Sequence, residues 1–166
     1  MKFDRSTEVE IINKLQPIKF TPKILHHDVE KKILIWEYIE GKEVFLKSEN
    51  KKNLLELLGK TIKKLHITEV PKNTKNIFLN SIEFYKTNLL KYSNNKFLDR
   101  GFSIFDRLSD NSNEYVLSHN DLNKSNIILN QNLYFLDWEY AGKKDTYFDI
   151  ASISMSIELY GYDINY

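Results

Sequence analysis

The stretch YVLSHNDLNKSNIILNQNLYFLDWEYAG, Tyr115 to Gly142, decides the reading of this chain. It opens with a short apolar run that stops abruptly in polar residues at His119, Asn120 and Asp121. A β-hairpin pattern follows: Ile127 to Leu129, a turn at Asn130, Gln131 and Asn132, and a return from Leu133 to Leu136. Asp137 closes the returning strand. This spacing gathers His119, Asp121, Asn126 and Asp137 at one end of a two-stranded ribbon. Acids at the ends of buried strands lose hydration and add little to a purely structural module. Mg²⁺ takes hard oxygen ligands, usually one or two carboxylates plus substrate oxygens. Asp137 and the amide oxygen of Asn126 meet that need. Asp121 is then placed to orient, and to deprotonate, an attacking hydroxyl.

Outward from this segment, the chain predicts helices in its middle and strands at its early and late parts. STEVEIINKLQ reads as a helix started by Ser6 or Thr7, with an apolar stripe of Val9, Ile12 and Leu15, and stopped by Pro17. PKILHHD and KKILIWEYIEG read as a hairpin turning at Val29, Glu30 and Lys31, with the second strand running to Gly41. LLELLGKTIKKLH has apolar residues at Leu54, Leu57, Leu58, Ile62 and Leu65, a helical spacing. Further helices are expected over IFLNSIEFYKTNLLKY and around FSIFDRL. A last helix is expected to start near Thr146 or Asp149 and run through IASISMSIELYG. No βαβ alternation appears, so the fold class is α+β.

Composition narrows the function classes. The chain has 166 residues, enough for one domain or parts of two lobes. Hydrophobic residues make up 42% and aromatics 13%, the profile of a folded protein. The net charge of +1 gives no general case for nucleic acid binding, and the lysine pairs at 51–52 and 63–64 read as solvated helix faces. No cysteine is present, which excludes disulfides, zinc–thiolate sites and cysteine nucleophiles. No apolar run reaches the roughly 20 residues of a membrane helix. The N-terminus MKFDRSTEVE lacks the apolar core of a signal peptide. A soluble, cytoplasmic protein without membrane insertion is the expectation.

HNDLNKSN, His119 to Asn126, resembles the H-x-D-x-x-x-x-N catalytic loop of the protein-kinase-like superfamily, in the form used by the choline/ethanolamine kinase and aminoglycoside phosphotransferase group. FLDWEYAG, Phe135 to Gly142, resembles that group's metal-binding segment, with Asp137 in the place of its metal-binding Asp. Together with Phe148-Asp-Ile-Ala-Ser152 it leans towards the choline kinase side. IWEYIEGK resembles the linker between the lobes, so the backbone of Glu37, Tyr38 and Ile39 is expected to meet adenine. LGKTIKKLH, ending at His66, resembles the helix after the linker, and Arg5-Ser-Thr-Glu8 the N-lobe helix whose Glu partners the phosphate-binding Lys.

The resemblance implies a kinase-like fold: residues 1–40 as a partial N-lobe, and residues 41–166 as a mostly helical C-lobe with the catalytic hairpin. It also implies ATP and Mg²⁺ as cofactors, and a small alcohol, choline or ethanolamine, as acceptor. Asp121 would be the base, Asn126 and Asp137 the metal ligands, His119 a support of the loop, and Asp149 a tie between the loop and the last helix. Glu139 and Tyr140 are the candidate substrate contacts. Trp138, Tyr140 and Tyr147 read either as core aromatics or as walls of a pocket for a quaternary ammonium group.

The chain also departs from the pattern. No glycine-rich stretch precedes Glu8, only Lys2 does among lysines, and the sequence looks truncated at both ends. A non-catalytic kinase-like remnant therefore stands beside the kinase reading. So does an aminoglycoside kinase, whose polycationic substrate would use acids such as Asp106, Asp110 and Glu114. The early hairpin would present an exposed strand edge open to self-association. His26 and His27 precede an Asp, but read as a solvent-facing strand end.

Overall fold

The computed structural model describes residues 5–45, 50–72, 74, 77–89, 95–109 and 115–159. Helix α1, Arg5–Leu15, buries Val9, Ile11, Ile12 and Leu15, the stripe expected from the sequence plus Ile11. It begins at Arg5, so Ser6 and Thr7, read as start signals, lie within its first turn. A 3₁₀ turn at Gln16–Ile18 holds Pro17 at its start, where a missing N–H costs nothing. Phe20, buried just beyond, sends its carbonyl to the Phe135 N–H at 2.8 Å, and so pins the N-terminal segment onto the late hairpin.

Strands β1, Ile24–Asp28, and β2, Ile33–Trp36, form the early antiparallel hairpin. β2 stops at Trp36, short of the run to Gly41 that the apolar pattern suggests. There Glu37 turns back on Lys23: its N–H donates to the Lys23 carbonyl at 2.9 Å, and its carboxylate accepts the Lys23 N–H at 2.8 Å. Leu25, Ile33 and Ile35 of this hairpin are exposed, and so are His26 and His27.

Beyond the linker come β3, Lys42–Glu43, then α2, Lys51–His66, α3, Ile77–Leu89, and α4, Lys96–Ser109. α2 buries Leu54, Leu58, Ile62 and Leu65 along one side, as its three-and-four spacing requires. β4 is Tyr115–Ser118, β5 Ile127–Leu129, β6 Leu133–Phe135, β7 Gly142–Asp145, and α5 Tyr147–Ser156. The late hairpin is β5 and β6, with Ile127 opposite Phe135. β3 adds to it through Lys42 opposite Leu129, which makes a three-stranded sheet of the expected two-stranded ribbon. β7 was not expected at all. It pairs antiparallel with β4, Ser118 opposite Gly142. α5 starts where the sequence suggested and ends at Ser156, earlier than the IELYG continuation.

One buried apolar cluster runs through Ile12 and Phe20, Leu58 and Leu65, Leu117 and Leu122, Phe135 and Trp138, and Ile153. It spans both sides of Gly41, sets β4 and β6 against α2, and sets the Trp138–Tyr140 turn against α1. Among the described residues, no helix is long and apolar enough to cross a membrane.

Gly41 marks where the linker passes closest to the sheet. A Cβ there would lie 2.4 Å from Ile128 Cγ2 and 2.8 Å from the Leu129 carbonyl oxygen. The methyl end of Ile128 can turn away, but the strand backbone cannot. Gly41→Ala is expected to lower the stability by about 1–3 kcal/mol. The check is urea unfolding, where the midpoint should fall with no change of slope.

Candidate active site

The segment after β4 owes its shape to one buried carboxylate. Asp149 of α5 is fully buried. Its Oδ2 accepts the His119 N–H at 3.0 Å, and its Oδ1 accepts the Asn120 N–H at 3.0 Å. His66, the last residue of α2, brings Nε2 to 3.0 Å from the same Oδ2. Burial alone would push this carboxyl up. The His66 hydrogen bond and the two backbone amides outweigh burial and hold it below the usual carboxylate range. Asp149 therefore ties the loop, α2 and α5 together as a charged group.

His119 is fixed and neutral. Its Nε2 lies 2.8 Å from the Leu136 carbonyl, which only accepts, so Nε2 carries the proton. Its Nδ1 faces the Asp121 N–H at 3.4 Å. The ring packs on Trp138, with centroids 4.5 Å apart. Burial pushes its pKa down, against the raising effect of Asp149. Both nitrogens are engaged by backbone, so the geometry suits a support of the loop rather than a proton carrier.

Asp121 is half-buried in a nest of amides. Asn126 Nδ2 donates to Asp121 Oδ2 at 2.9 Å and to its carbonyl at 2.9 Å. Asn123 Nδ2 reaches the same carbonyl at 3.2 Å, while its Oδ1 caps the short Lys124–Asn126 turn through the Ser125 N–H at 3.0 Å. With its NH₂ committed to Asp121, the Asn126 amide has its oxygen to offer a cation. That amide oxygen and the Asp137 carboxylate are the oxygen donors that suit Mg²⁺, which uses few protein ligands and completes its shell with phosphate and water. Among the described residues, no group of three or more His, Asp or Glu forms a metal cage, and this type of site needs none.

Asp137 adopts a left-handed conformation, φ 61° and ψ 68°, at the start of the Trp138–Tyr140 3₁₀ turn. A non-glycine residue there carries strain of roughly 1–2 kcal/mol and must be held. Trp138 is buried and donates from Nε1 to the Phe135 carbonyl at 2.8 Å. It is thus a core aromatic, not a pocket wall. Asn120, itself left-handed at φ 65°, donates from Nδ2 to the Tyr140 carbonyl at 2.9 Å. This bond joins the loop directly to the Asp137 turn. The Tyr140 hydroxyl is pushed up by burial and then by the charges of Glu139, Asp121 and Asp137, with Tyr85 of α3 also contributing. The sequence-identified acids thus share one electrostatic neighbourhood. Tyr147 is largely exposed.

Glu8 and Glu139 meet a cation from an unexpected source. Glu8 is 3% exposed, and Arg5 on its own helix bonds its Oε2 through Nη1. Arg5 Nη2 lies 3.6 Å from Glu139 Oε2. The other Glu8 oxygen is buried with no partner among the described residues. Burial raises the Glu8 pKa, and Arg5 opposes that rise. Glu139, read from the sequence as a partner for a cationic substrate, thus faces a protein cation.

In the linker, Glu37 spends both its N–H and its carboxylate on Lys23. The Tyr38 side chain is 89% exposed. Asp106, read as part of an acidic groove, forms an ion pair with Lys86 instead. Asp110, Glu114 and Lys2 lie outside the described residues. Reading the sequence gave no role to His66, Asn120, Asn123 or Arg5. His66 and Arg5 stood within recognised segments, but their partners are distant in sequence.

A sequence model of the family described as choline/ethanolamine kinase matches residues 2–164. The LicA homolog of Mycoplasma capricolum is 29% identical over 141 residues, covering 82% of this chain and 56% of that protein. The crystal structure of choline kinase LicA from Streptococcus pneumoniae superposes with a TM-score of 0.77 at 23% identity, covering 98% of this chain and 59% of that one. The streptomycin–ATP–APH(2″)-IIa ternary complex superposes at 0.65 with 20% identity, covering 88% and 58%. The chain therefore has the kinase-like α+β fold, and it spans little more than half the length of these proteins.

The buried, neutral His119 has a consequence for stability. Its folded pKa lies below the ordinary value of 6.5, so the unfolded chain binds a proton that the folded chain refuses. The contribution is present above that ordinary value and is lost as pH falls below it. The slope reaches at most about 1.4 kcal/mol per pH unit. His119→Gln, whose amide can still reach the Leu136 carbonyl, should remove that part of the slope between about pH 6.5 and 5. Denaturant midpoints measured across this range for both proteins provide the check, and parallel curves would contradict the assignment.

Proposed function

The chain belongs to the choline/ethanolamine kinase family, and from that membership we propose that it transfers the γ-phosphoryl group of ATP to the hydroxyl of choline or ethanolamine. The observation that carries this reading is the Asp121–Asn126 pair, joined by the Asn126 Nδ2 hydrogen bond to the Asp121 carboxylate, with the N–H of Leu136, one residue before Asp137, bonded to the Asn126 carbonyl at 2.8 Å. Asp121 orients the acceptor hydroxyl and takes its proton as the new O–P bond forms and the bond to the ADP oxygen breaks. Asn126 and Asp137 hold Mg²⁺, which when bound neutralises charge on the phosphate oxygens. Asp149, His66 and His119 keep the loop in place, so the chain's contribution is mainly positioning and fixed charge.

The linker backbone from Glu37 to Ile39 receives adenine, and residues 1–40 act as the N-lobe side of the cleft, with 41–166 as the C-lobe side. The buried, unpartnered Glu8 oxygen is suited to a cationic group that arrives with, or next to, the nucleotide phosphates. Tyr140 lies in the field of Asp121 and Asp137, an anionic and aromatic setting that favours a small cationic alcohol. Asp106 is engaged by Lys86, which gives a larger aminoglycoside polycation less to bind. ATP as donor is in keeping with a cytoplasmic setting.

The test is ADP release from Mg·ATP in the presence of choline, ethanolamine or kanamycin. Acceptor-dependent release is expected with choline or ethanolamine, and it should fall by about 10²–10⁴ in Asp121→Asn. Asp137→Ala should abolish metal-dependent turnover, and unchanged activity would remove Asp137 from the metal site. Release with kanamycin alone would move the acceptor class to aminoglycosides. Metal-dependent ATP binding without release for any acceptor would favour a binding-only, kinase-like protein.

A further inference from the structure

Arg5 is the one side chain that touches both α1 and the turn carrying Asp137 by ionic contacts among the described residues. An i,i+3 pair on a helix surface is ordinarily solvated and contributes little. This pair is different. The Glu8 side chain is 2% exposed, and those of Arg5 and Glu139 are only 25% and 23% exposed. The guanidinium fork points one nitrogen at Glu8 within α1 and the other at Glu139 in the 3₁₀ turn. The field of Asp137 also reaches it. One cation thus stands among three carboxylates, two of them on the turn that begins with a strained left-handed residue.

A planar guanidinium can bridge two carboxylates that face it from different directions, whereas an ammonium is a single point of charge on a flexible stem. Other bonds that hold this turn include Trp138 Nε1 to the Phe135 carbonyl and Asn120 Nδ2 to the Tyr140 carbonyl. Both fasten it to the C-terminal hairpin and loop. Arg5 alone among these three contacts fastens it to α1.

We propose that Arg5 is a positioning residue that, by bridging Glu8 and Glu139, registers the Asp137–Tyr140 turn against helix α1 and so sets the placement of the Asp137 carboxylate. Its effect on turnover rests on the phosphotransfer reading above, while its effect on the turn does not. Arg5 also neutralises Glu139, which removes that carboxylate from the set available to a cationic acceptor.

The experiment combines backbone hydrogen exchange with steady-state kinetics for the full chain. The variants are Arg5→Ala, Arg5→Lys, Glu139→Gln and the Arg5→Ala/Glu139→Gln double. Exchange in residues 137–142 should rise in both single deletions. β5 and the α2 core should keep their protection. The double variant should be no worse than Arg5→Ala, because one contact is lost in both. Arg5→Lys should fail to restore the turn. In turnover, the Mg²⁺ concentration for half-maximal rate should rise about tenfold to a hundredfold, as expected when an outer support of a metal ligand is lost, with a smaller change in choline KM. Unchanged exchange at 137–142, exchange rising evenly across α1 and the core, or full rescue by lysine would each overturn the proposal. If the wild-type chain releases no ADP with any acceptor, the phosphotransfer reading fails, and the exchange comparison still decides the role of Arg5.

Discussion

The hydrogen bonds around Asp149 are the constraint from which the site follows. A carboxylate removed from water is tolerated only where its oxygens are fully used. Here the partners are backbone amides of His119 and Asn120 and the imidazole of His66. Two of the three are main-chain groups of the loop itself, so the loop cannot change conformation without stranding a buried charge. The third comes from the end of α2. A single buried acid therefore converts helix packing, set by apolar spacing in α2 and α5, into a defined backbone path for Asp121.

From that path the side chains fall into place by local bonds. Asn126 and Asn123 both donate to the Asp121 carbonyl, and Asn126 also donates to the carboxylate. Among the described residues, amides rather than lysines bond this acid. They orient it without a fixed positive charge that would pair with it and compete with an incoming substrate proton or metal. The cation in the neighbourhood, Arg5, is spent on Glu8 and Glu139 instead. The division leaves Asp121 and Asp137 for the proposed chemistry.

The sequence made legible what depends on local pattern. The periodicity of Leu54, Leu58, Ile62 and Leu65 reported α2, and the Ile127–Leu129 and Leu133–Leu136 runs reported the late hairpin because turn residues separate them. Asp121, Asn126 and Asp137 stand out as candidates in the sequence since their spacing within one hairpin is short. What failed to show was built from distant pairings. β7 is Gly-Lys-Lys-Asp, with no strand-like composition, and it is a strand because β4 supplies its partner. β3 is two residues long and exists through β5. Glu139 looked available for a substrate because nothing in its own segment is basic enough to claim it, and its partner lies at the other end of the chain. His66 looked like an ordinary basic residue at a helix end, and only the arrival of α5 gives it Asp149.

Strain follows the same division. Among the described residues, the left-handed non-glycine positions are Lys19, Lys32, Asn120, Asp137 and Glu158. Lys19, Lys32 and Glu158 lie in turns or at a helix end, where Asn or Gly is the usual choice. Asn120 instead precedes Asp121, and Asp137 is itself proposed to act. The Asn120 amide spans from one strained position to the turn that begins with the other, through the Tyr140 carbonyl. Each of these conformations is thus held partly by the other's segment. Releasing either would loosen the loop and the Asp137 turn together, so Asp121 and Asp137, the proposed base and metal ligand, are held as one unit and not as two separate parts.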